Sequence, residues 1–557
     1  MGCTLSKSTS IKIHASTVES IPSLKGFEGK VFFRDYKNNS DYDIHRYQYA
    51  YSSHLDGSIS PAMIFYARHE EDIKKVIRYA KEKNIAIAAR TGGHQYSGAS
   101  STSGKNIQLD LSQAFLGEEN FQYDKESNRL RVGISFPLKV FNKNLADKGL
   151  FIPHGECENV HLGGHVQTGG SGQLLRAFGL FCDHVRAIEI ITADCEKKIV
   201  TRESHPDLFF AVLGGSPGNF GILTHVVIEP LRDEDYPHSR GLFGVYLYDA
   251  DRLKRLLNLS VEMANDDNLP IDYDYTVSVI SFNQDIVSRY PNLDDMMRKN
   301  HPDEFSGLGK EASVVEPSVI VVFAQWANTK GSLQAYTDDV AAWFDRVKAT
   351  AHGLNLSKVA HVGAGYVGND QHVPMSELSK HWMLLKVREY ELPYVKRAYS
   401  TSEKVGEDWI QSFVHHVDEV QSNLSGTDCK ICVQVQQNSK NNKVIMNKDN
   451  GTSYSWRDTR IGFACDIFYG PTGHAFAEKW QARNDSDFIG ESGNFSKQDR
   501  RWFWGSYGNT NLNEMWPYYY DSEEKYHRIL KVKNEIDPEK IFSPNQFCIG
   551  GAKNIMT

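Results

Sequence analysis

Apolar residues recur along the chain with two periods. Ile73, Val76, Ile77 and Ala80 fall at i, i+3, i+4 and i+7, which predicts an amphipathic helix leading into Ile85-Ala86-Ile87-Ala88-Ala89, a short apolar strand. Ile107-Gln108-Leu109-Asp110-Leu111 alternates as a half-buried strand does, Leu138, Phe141 and Leu145 make a second helical stripe, and Val185 to Thr192 reads as a further strand. From about Tyr236 to Arg500 helical stretches mix with apolar strands such as Ser318 to Phe323 and Ile461 to Tyr469. Cys432 to Gln437 is another strand, and Gln434 and Gln436 share one of its faces because side chains alternate. The polar stretch Asn438 to Asn450 is predicted to be a loop between strands.

Four loops between these elements are rich in glycine. They are Arg90-Thr91-Gly92-Gly93-His94-Gln95-Tyr96-Ser97-Gly98, Gly155-Glu156-Cys157-Glu158-Asn159-Val160-His161-Leu162-Gly163-Gly164-His165, Thr168-Gly169-Gly170-Ser171-Gly172, and Gly214-Gly215-Ser216-Pro217-Gly218-Asn219-Phe220-Gly221-Ile222. Glycine lets backbone N–H groups approach a pyrophosphate closely, so a phosphate-bearing cofactor suits such loops. A histidine among them can present a ring nitrogen to an electrophilic carbon, and a cysteine can supply a thiolate. Singly, each loop is ordinary; four in this order are not a chance pattern.

In these segments the chain resembles the berberine bridge enzyme-like FAD-linked oxidases of the vanillyl-alcohol oxidase and para-cresol methylhydroxylase superfamily, from about Pro61 to Ile228 and again near the C-terminus. The resemblance implies an α+β fold: a two-part PCMH-type FAD-binding domain over residues 1–235 (core 61–230), completed by 500–557, and a substrate domain over 236–499 built on an antiparallel sheet covered by helices. It implies FAD attached covalently through His94 and Cys157. It also implies a cofactor site of Arg90, Thr91, Gly92, Gly93, Gln95, Gly98, Gly155, Val160, Gly163, Gly164, His165, Gly169, Gly170, Gly172, Asn219, Gly221, Ile222 and Asn545. Val160, three residues after the cysteine, goes in the family with oxidases that return hydrogen peroxide; a dehydrogenase is the alternative.

Three departures bear on this. His161 stands where the family has glycine, and Ser171 and Ser216-Pro217 interrupt glycine runs. The family's Tyr-x-Asn-Tyr is here Tyr507-Gly508-Asn509-Thr510, so its usual catalytic tyrosine is replaced by Thr510, which has no accessible pKa for base work. Tyr507, Tyr454 and Tyr469 are the tyrosines open to the role. Gln434 and Gln436 are the strand candidates for contact with flavin or substrate, although an amide cannot itself be the base; each reads equally as a polar residue on a sheet face, as Tyr507 reads as a core aromatic. Oxidation of a carbohydrate or other alcohol and oxidation of a secondary metabolite both fit, and a flavin-binding redox sensor without turnover is the reading from another class.

Composition changes little. The 557 residues carry a formal net charge of −8 without a basic run, so no nucleic-acid partner is expected, and no internal repeat appears. Cys182, Cys195, Cys429, Cys432, Cys465 and Cys548 form no disulfide framework, and the lone Cys429-x-x-Cys432 lacks the second pair a metal site needs, so no metal is expected. Met1-Gly2-Cys3-Thr4-Leu5-Ser6 fits the N-myristoylation pattern, with Cys3 placed for palmitoylation; two chains would hold the protein on a membrane where one would not. The sequons at Asn258, Asn355, Asn450 and Asn494 mean little without an export signal, and none precedes the first domain. The expectation is a cytoplasmic monomer, with a membrane tether through Gly2 and Cys3 if they are acylated, acting on a small molecule and O2.

Overall fold

The helix Glu70–Lys83 shows how local signals set the first elements. His69 caps it, its ring accepting the Asp72 N–H at 3.3 Å, three acids occupy its first turn, and Asn84 ends it in the left-handed region at φ 54°. Ile73, Val76, Ile77 and Ala80, the stripe read from the sequence, are all buried. The computed structural model describes residues 18–35, 40–46, 59–95, 98–281, 318–352, 363–366, 372–383, 393–489, 491–496, 501–502 and 511–553.

Among the described residues, two larger sheets and a two-stranded ribbon form the first half. β1 (Lys30–Phe33), β2 (Met63–Tyr66), β3 (Ile87–Arg90) and β4 (Ile107–Asp110) assemble in the order β1-β2-β4-β3, with β4 parallel to both β2 and β3. β5 (Phe121–Asp124) and β6 (Arg129–Gly133) belong to an antiparallel sheet. β7 (Leu150–Phe151) starts a separate two-stranded ribbon, while β8 (Val185–Ile191), β9 (Lys197–Val200) and β10 (Ile222–Ile228) complete the order β5-β6-β10-β8-β9. β11 (Leu231–Arg232) closes the ribbon.

Among the described residues, the strands of the second half form one eight-stranded antiparallel sheet. Its strands are β12 (Arg240–Leu247), β13 (Tyr273–Ser281), β14 (Ser318–Trp326), β15 (Gly363–Tyr366), β16 (Tyr394–Thr401), β17 (Cys429–Gln437), β18 (Ile461–Tyr469) and β19 (Arg501–Trp502), in the order β15-β12-β14-β13-β17-β18-β16-β19. The helices Ala250–Asn265, Asp338–His352, Glu407–Gln421 and His474–Ile489 cover one face, against which Tyr275, Val277, Val279, Val433 and Val435 are buried. The α+β expectation, with an antiparallel sheet under helices, holds. The sheet runs to Trp502, two residues past the expected return to the first half. Asn438–Asn450 is not all loop, because Asn442 caps a short helix Lys443–Met446 by accepting the Ile445 N–H at 2.9 Å.

The tail packs on the first half. Ile87 N–H donates to Ile541 O at 2.7 Å, and the buried Lys533 ammonium donates to Asn219 O at 2.6 Å while pairing with Asp537 at 2.6 Å. Two buried cations tie the halves together. Arg176 donates to the carbonyls of Asn438, Asn441, Leu269 and Tyr273. Arg457 pairs with Asp183 at 2.7 Å, both nearly without exposure.

Candidate cofactor and active site

The loop after β3 is aimed by its first residue. Arg90 Nε donates to Asp110 at 2.6 Å, and the two are direct partners across β3 and β4, so the buried pair sets where Thr91 to Gln95 leave the sheet. Opposite lies the Cys157 loop, whose Val160 N–H returns to Cys157 O at 3.2 Å before the short helix Leu162–Gln167. His94 and Cys157 both line one cavity of about 350 Å³. Arg90, Thr91, Gly92, Gly93, Gln95, Gly155, Val160, Gly163, Gly164, His165, Gly172 and Gly221 line it too.

The remaining expected cofactor residues stand behind this wall. Gly98 closes a turn onto Gln95 O at 3.1 Å, and the carbonyls of Gly169 and Gly170 accept the Cys182 and Phe181 N–H groups. Asn219 accepts the Ile549 N–H at 2.9 Å, Asn545 donates to Ala99 O and Ser101 O, and Ile222 is buried at the start of β10. Their observed contacts hold the cavity's loops in place.

His161 replaces the family's glycine without distorting the loop, since its φ of −92° is extended backbone open to any residue. Its ring lies over Gly92, where a Cβ would come within 2.7 Å of His161 Cδ2. Burial holds the imidazole down at about 4 despite the pull of Asp110, and its Nδ1 is buried without a hydrogen-bond partner among the described residues. His165, at about 3, is lowered by burial and then by His154; it accepts the Gly155 N–H at 3.1 Å.

Glycine chemistry is clearest at two points. A Cβ on Gly172 would fall 1.9 Å from His154 O, whereas one on Gly164 would meet nothing within 4 Å. Bare backbone therefore faces the cavity where a cofactor could lie on it. The size, the glycine lining and the paired His94 and Cys157 suit a flavin.

The opposite wall is the uncovered face of the large sheet. Lys396, Gln434, Gln436, Gly462 and Ala464 line the cavity, the last two making room by lacking bulk. Gln434 Nε2 donates to both Glu156 oxygens at 3.0 Å, and Gln436 Nε2 donates to Gly172 O at 2.8 Å. A carboxylate and a carbonyl only accept, so these contacts fix both amides with their oxygens turned away from the bonds. Gln173 Nε2 also donates to Glu156, at 2.7 Å, and Gln325 donates to Gln173 at 3.3 Å. Lys396 forms an ion pair with the fully buried Asp466 at 2.8 Å. Asp274, whose Oδ2 accepts the Leu174 N–H at 2.9 Å, is raised by burial to about 6 against the pull of Arg176.

Thus the structure brings Gln434 and Gln436 to the cavity with His94 and Cys157. Tyr507, Thr510, Tyr96, Ser97, Gly2 and Cys3 lie outside the described residues. Tyr454 is packed beneath Gly169 and Gly214 and its hydroxyl is pushed above its ordinary value by burial; Tyr469 is buried on β18. Sequence reasoning missed Glu156, Gln167, Lys396 and Asp466. Glu156 could have been found, since it stands directly before Cys157. Gln167 ties two glycine loops, donating to Gly163 O at 2.7 Å and accepting the Gly218 N–H at 3.1 Å. Among the described residues Glu70, Glu189 and His225 cluster as metal ligands might, but Glu189 already pairs with Arg131 and Lys197.

Residues 61–199 match the FAD binding domain family. The chain is 33% identical over 174 residues to the uncharacterized FAD-linked oxidoreductase YgaK of Bacillus subtilis, covering 30% of this chain and 37% of that one. It is 28% identical over 260 residues to berberine bridge enzyme-like 25 of Arabidopsis thaliana, covering 44% and 46%. The matches thus span less than half the length of these curated relatives. In fold, it superposes on Physcomitrella patens BBE-like 1 with a TM-score of 0.68 at 14% identity (95% and 98% covered) and on the carbohydrate oxidase of Microdochium nivale with 0.67 at 16% (97% and 99% covered).

Residues 61–199 therefore carry an FAD-binding domain, and the whole chain shares the fold of Physcomitrella patens BBE-like 1 and the Microdochium nivale carbohydrate oxidase. In sequence it resembles, over part of its length, FAD-linked oxidoreductases and berberine bridge enzyme-like 25.

Proposed function

We propose that this protein is an oxidase that holds FAD through two covalent bonds, from His94 and Cys157, and oxidises a small hydroxyl-bearing substrate with O2 as electron acceptor. The observation that carries the reading is that His94 and Cys157, about sixty positions apart in sequence, line one glycine-walled cavity whose far side is a polar sheet face. When bound, the flavin supplies a hydride acceptor and a route for two electrons to dioxygen.

The chain's own residues supply the rest. Gly92, Gly93, Gly163 and Gly164 give the cofactor backbone to lie against, and Val160 lines the same space. The oxygens of Gln434 and Gln436 are acceptors with no donor on them among the described residues, and they line the cavity beside Glu156. Acceptors on this wall favour a substrate that presents O–H groups, which supports an alcohol or carbohydrate over a wholly apolar metabolite. The carbohydrate oxidase of Microdochium nivale shares the fold and suggests where a substrate panel should begin.

The test is acid precipitation of the recombinant protein beside His94→Ala, Cys157→Ala and the double variant. Yellow colour should stay with the precipitate in the wild type and both single variants and leave only in the double one. Wild-type protein that releases all its flavin sinks the bicovalent reading, and reduced protein that stays reduced in air-saturated buffer over minutes points to a dehydrogenase.

A further inference from the structure

His161 stands where glycine is expected, and its imidazole reaches both cofactor loops. It lines the cavity four residues after Cys157, and its Cδ2 and Cγ are atoms that a Cβ on Gly92 would meet, at 2.7 and 3.1 Å. Gly92 lies two residues before His94, so the ring packs between the loops that carry His94 and Cys157. The main chain around it is held from outside the cavity. Pro137 and His161 form an antiparallel bridge, and Leu162 N–H donates to Phe136 O at 3.1 Å.

The contact with Gly92 uses ring carbons. Nδ1 is buried and, among the described residues, has no hydrogen-bond partner. Asp110, the carboxylate whose charge acts on the ring, is engaged elsewhere: Arg90 Nε donates to one oxygen at 2.6 Å, and the Ser112 N–H and O–H donate to the other at 2.9 and 2.6 Å. A polar atom buried without a partner costs stability, and glycine at this position would avoid that cost. Burial keeps the imidazole neutral, with one N–H and one bare nitrogen, so it offers a cavity ligand either a donor or an acceptor.

We infer that His161 is a further cofactor-binding residue, whose Nδ1 is hydrogen-bonded to the ring system of the bound flavin. The inference rests on the flavin reading above. The ring system rather than the phosphates is the partner because the imidazole lies between His94 and Cys157, the residues proposed to bond that ring.

The test uses the full chain carrying His94→Ala and Cys157→Ala, in which FAD is held without covalent bonds and equilibrium ultrafiltration reads its affinity. His161→Phe, added to this parent, keeps a flat ring over Gly92 and removes both nitrogens; it should hold FAD about 10-fold more weakly. His161→Asn sets an amide atom near the place of Nδ1 and should stay within about threefold of the parent. A packing role alone predicts the reverse order, with Phe near the parent and Asn weak. With His94 and Cys157 intact, His161→Phe should displace the visible flavin band, because a hydrogen bond to the ring perturbs its absorption.

Parent affinity in His161→Phe overturns the inference and gives Nδ1 to a water. A 10-fold loss with an unaltered band overturns the ring assignment and moves the bond to the phosphates. If the double variant holds no FAD, an unaltered band in His161→Phe overturns the inference by itself. If His161→Phe does not accumulate, His161→Leu takes its place with the same expected loss and the same overturning results. A wild type that never holds flavin overturns the cofactor reading and this inference together. One that releases all its flavin to acid overturns the covalent bonds alone, and the His161 variants are then read directly on it.

Discussion

The two walls of the cavity are made of different material. On the first half's side the wall is mostly backbone, exposed by Gly92, Gly93, Gly163, Gly164 and Gly172, with His94 and Cys157 among them. On the other side it is side chains on regular strands, Gln434 and Gln436 on β17 facing Gly462 and Ala464 on β18. A backbone wall restricts residue type strictly, because a Cβ in the wrong place has nowhere to go. A strand wall tolerates many side chains at each position, so its chemistry is free to vary. The difference explains why one wall repeats a recognisable pattern and the other departs from it.

The sharpest way to break the comparison is Gly172→Ala. Its Cβ would sit 1.9 Å from His154 O, backbone against backbone, and we expect a loss above ~4 kcal/mol in stability, read as failure to accumulate or a collapse of the thermal midpoint. Gly164→Ala is the control: nothing lies within 4 Å, so the fold should hold within ~1 kcal/mol while flavin retention falls because the methyl enters the cavity.

Next in size is the junction between the walls. Asp183→Asn leaves Arg457 buried without its partner and should cost ~3–4 kcal/mol in denaturant unfolding at neutral pH. Burial by itself would raise the Asp183 carboxyl, but Arg457 and the other donors outweigh it and leave it below its ordinary 3.8. A depressed acid stabilises the fold above its unfolded value and loses that contribution as pH falls through the folded one. The wild type should therefore weaken more steeply than the variant below about pH 4.

The smallest expected effect has the opposite sign. Asp274 is raised by burial from 3.8 to about 6, so its contribution to stability is full below the unfolded value and lost as pH climbs to about 6. Asp274→Asn can keep an oxygen on the Leu174 N–H and carries no charge to bury. It should unfold like wild type at pH 4 and gain ~2 kcal/mol at pH 8; equal melting curves at both values would show that the carboxyl is not desolvated in the fold.

Much of the fold was legible in the chain. The stripe of Ile73, Val76, Ile77 and Ala80 is the buried face of its helix, and Ile461 to Tyr469 is a strand with the predicted ends. Such elements report a local period, which needs no partner to be read. The helix Lys443–Met446 escaped because four residues carry no period, only a cap. Glu156 escaped for another reason: its meaning comes from Gln434, 278 positions away, and from Gln173.

The sequence by itself determined the cofactor loops, since φ > 0 and close backbone approach can be met by glycine and little else, and those constraints act within a few residues. Only the tertiary structure decided which side chains face the cofactor cavity from the sheet, that Lys396 is spoken for by Asp466, and that a carboxylate beside Cys157 is clamped between two glutamines. Strand alternation gives each residue a face, but which face meets the first half depends on how β13, β17, β18 and β16 pair and on where the helices cover them. That pairing is set by burial summed over the whole sheet, a quantity no local stretch of chain contains.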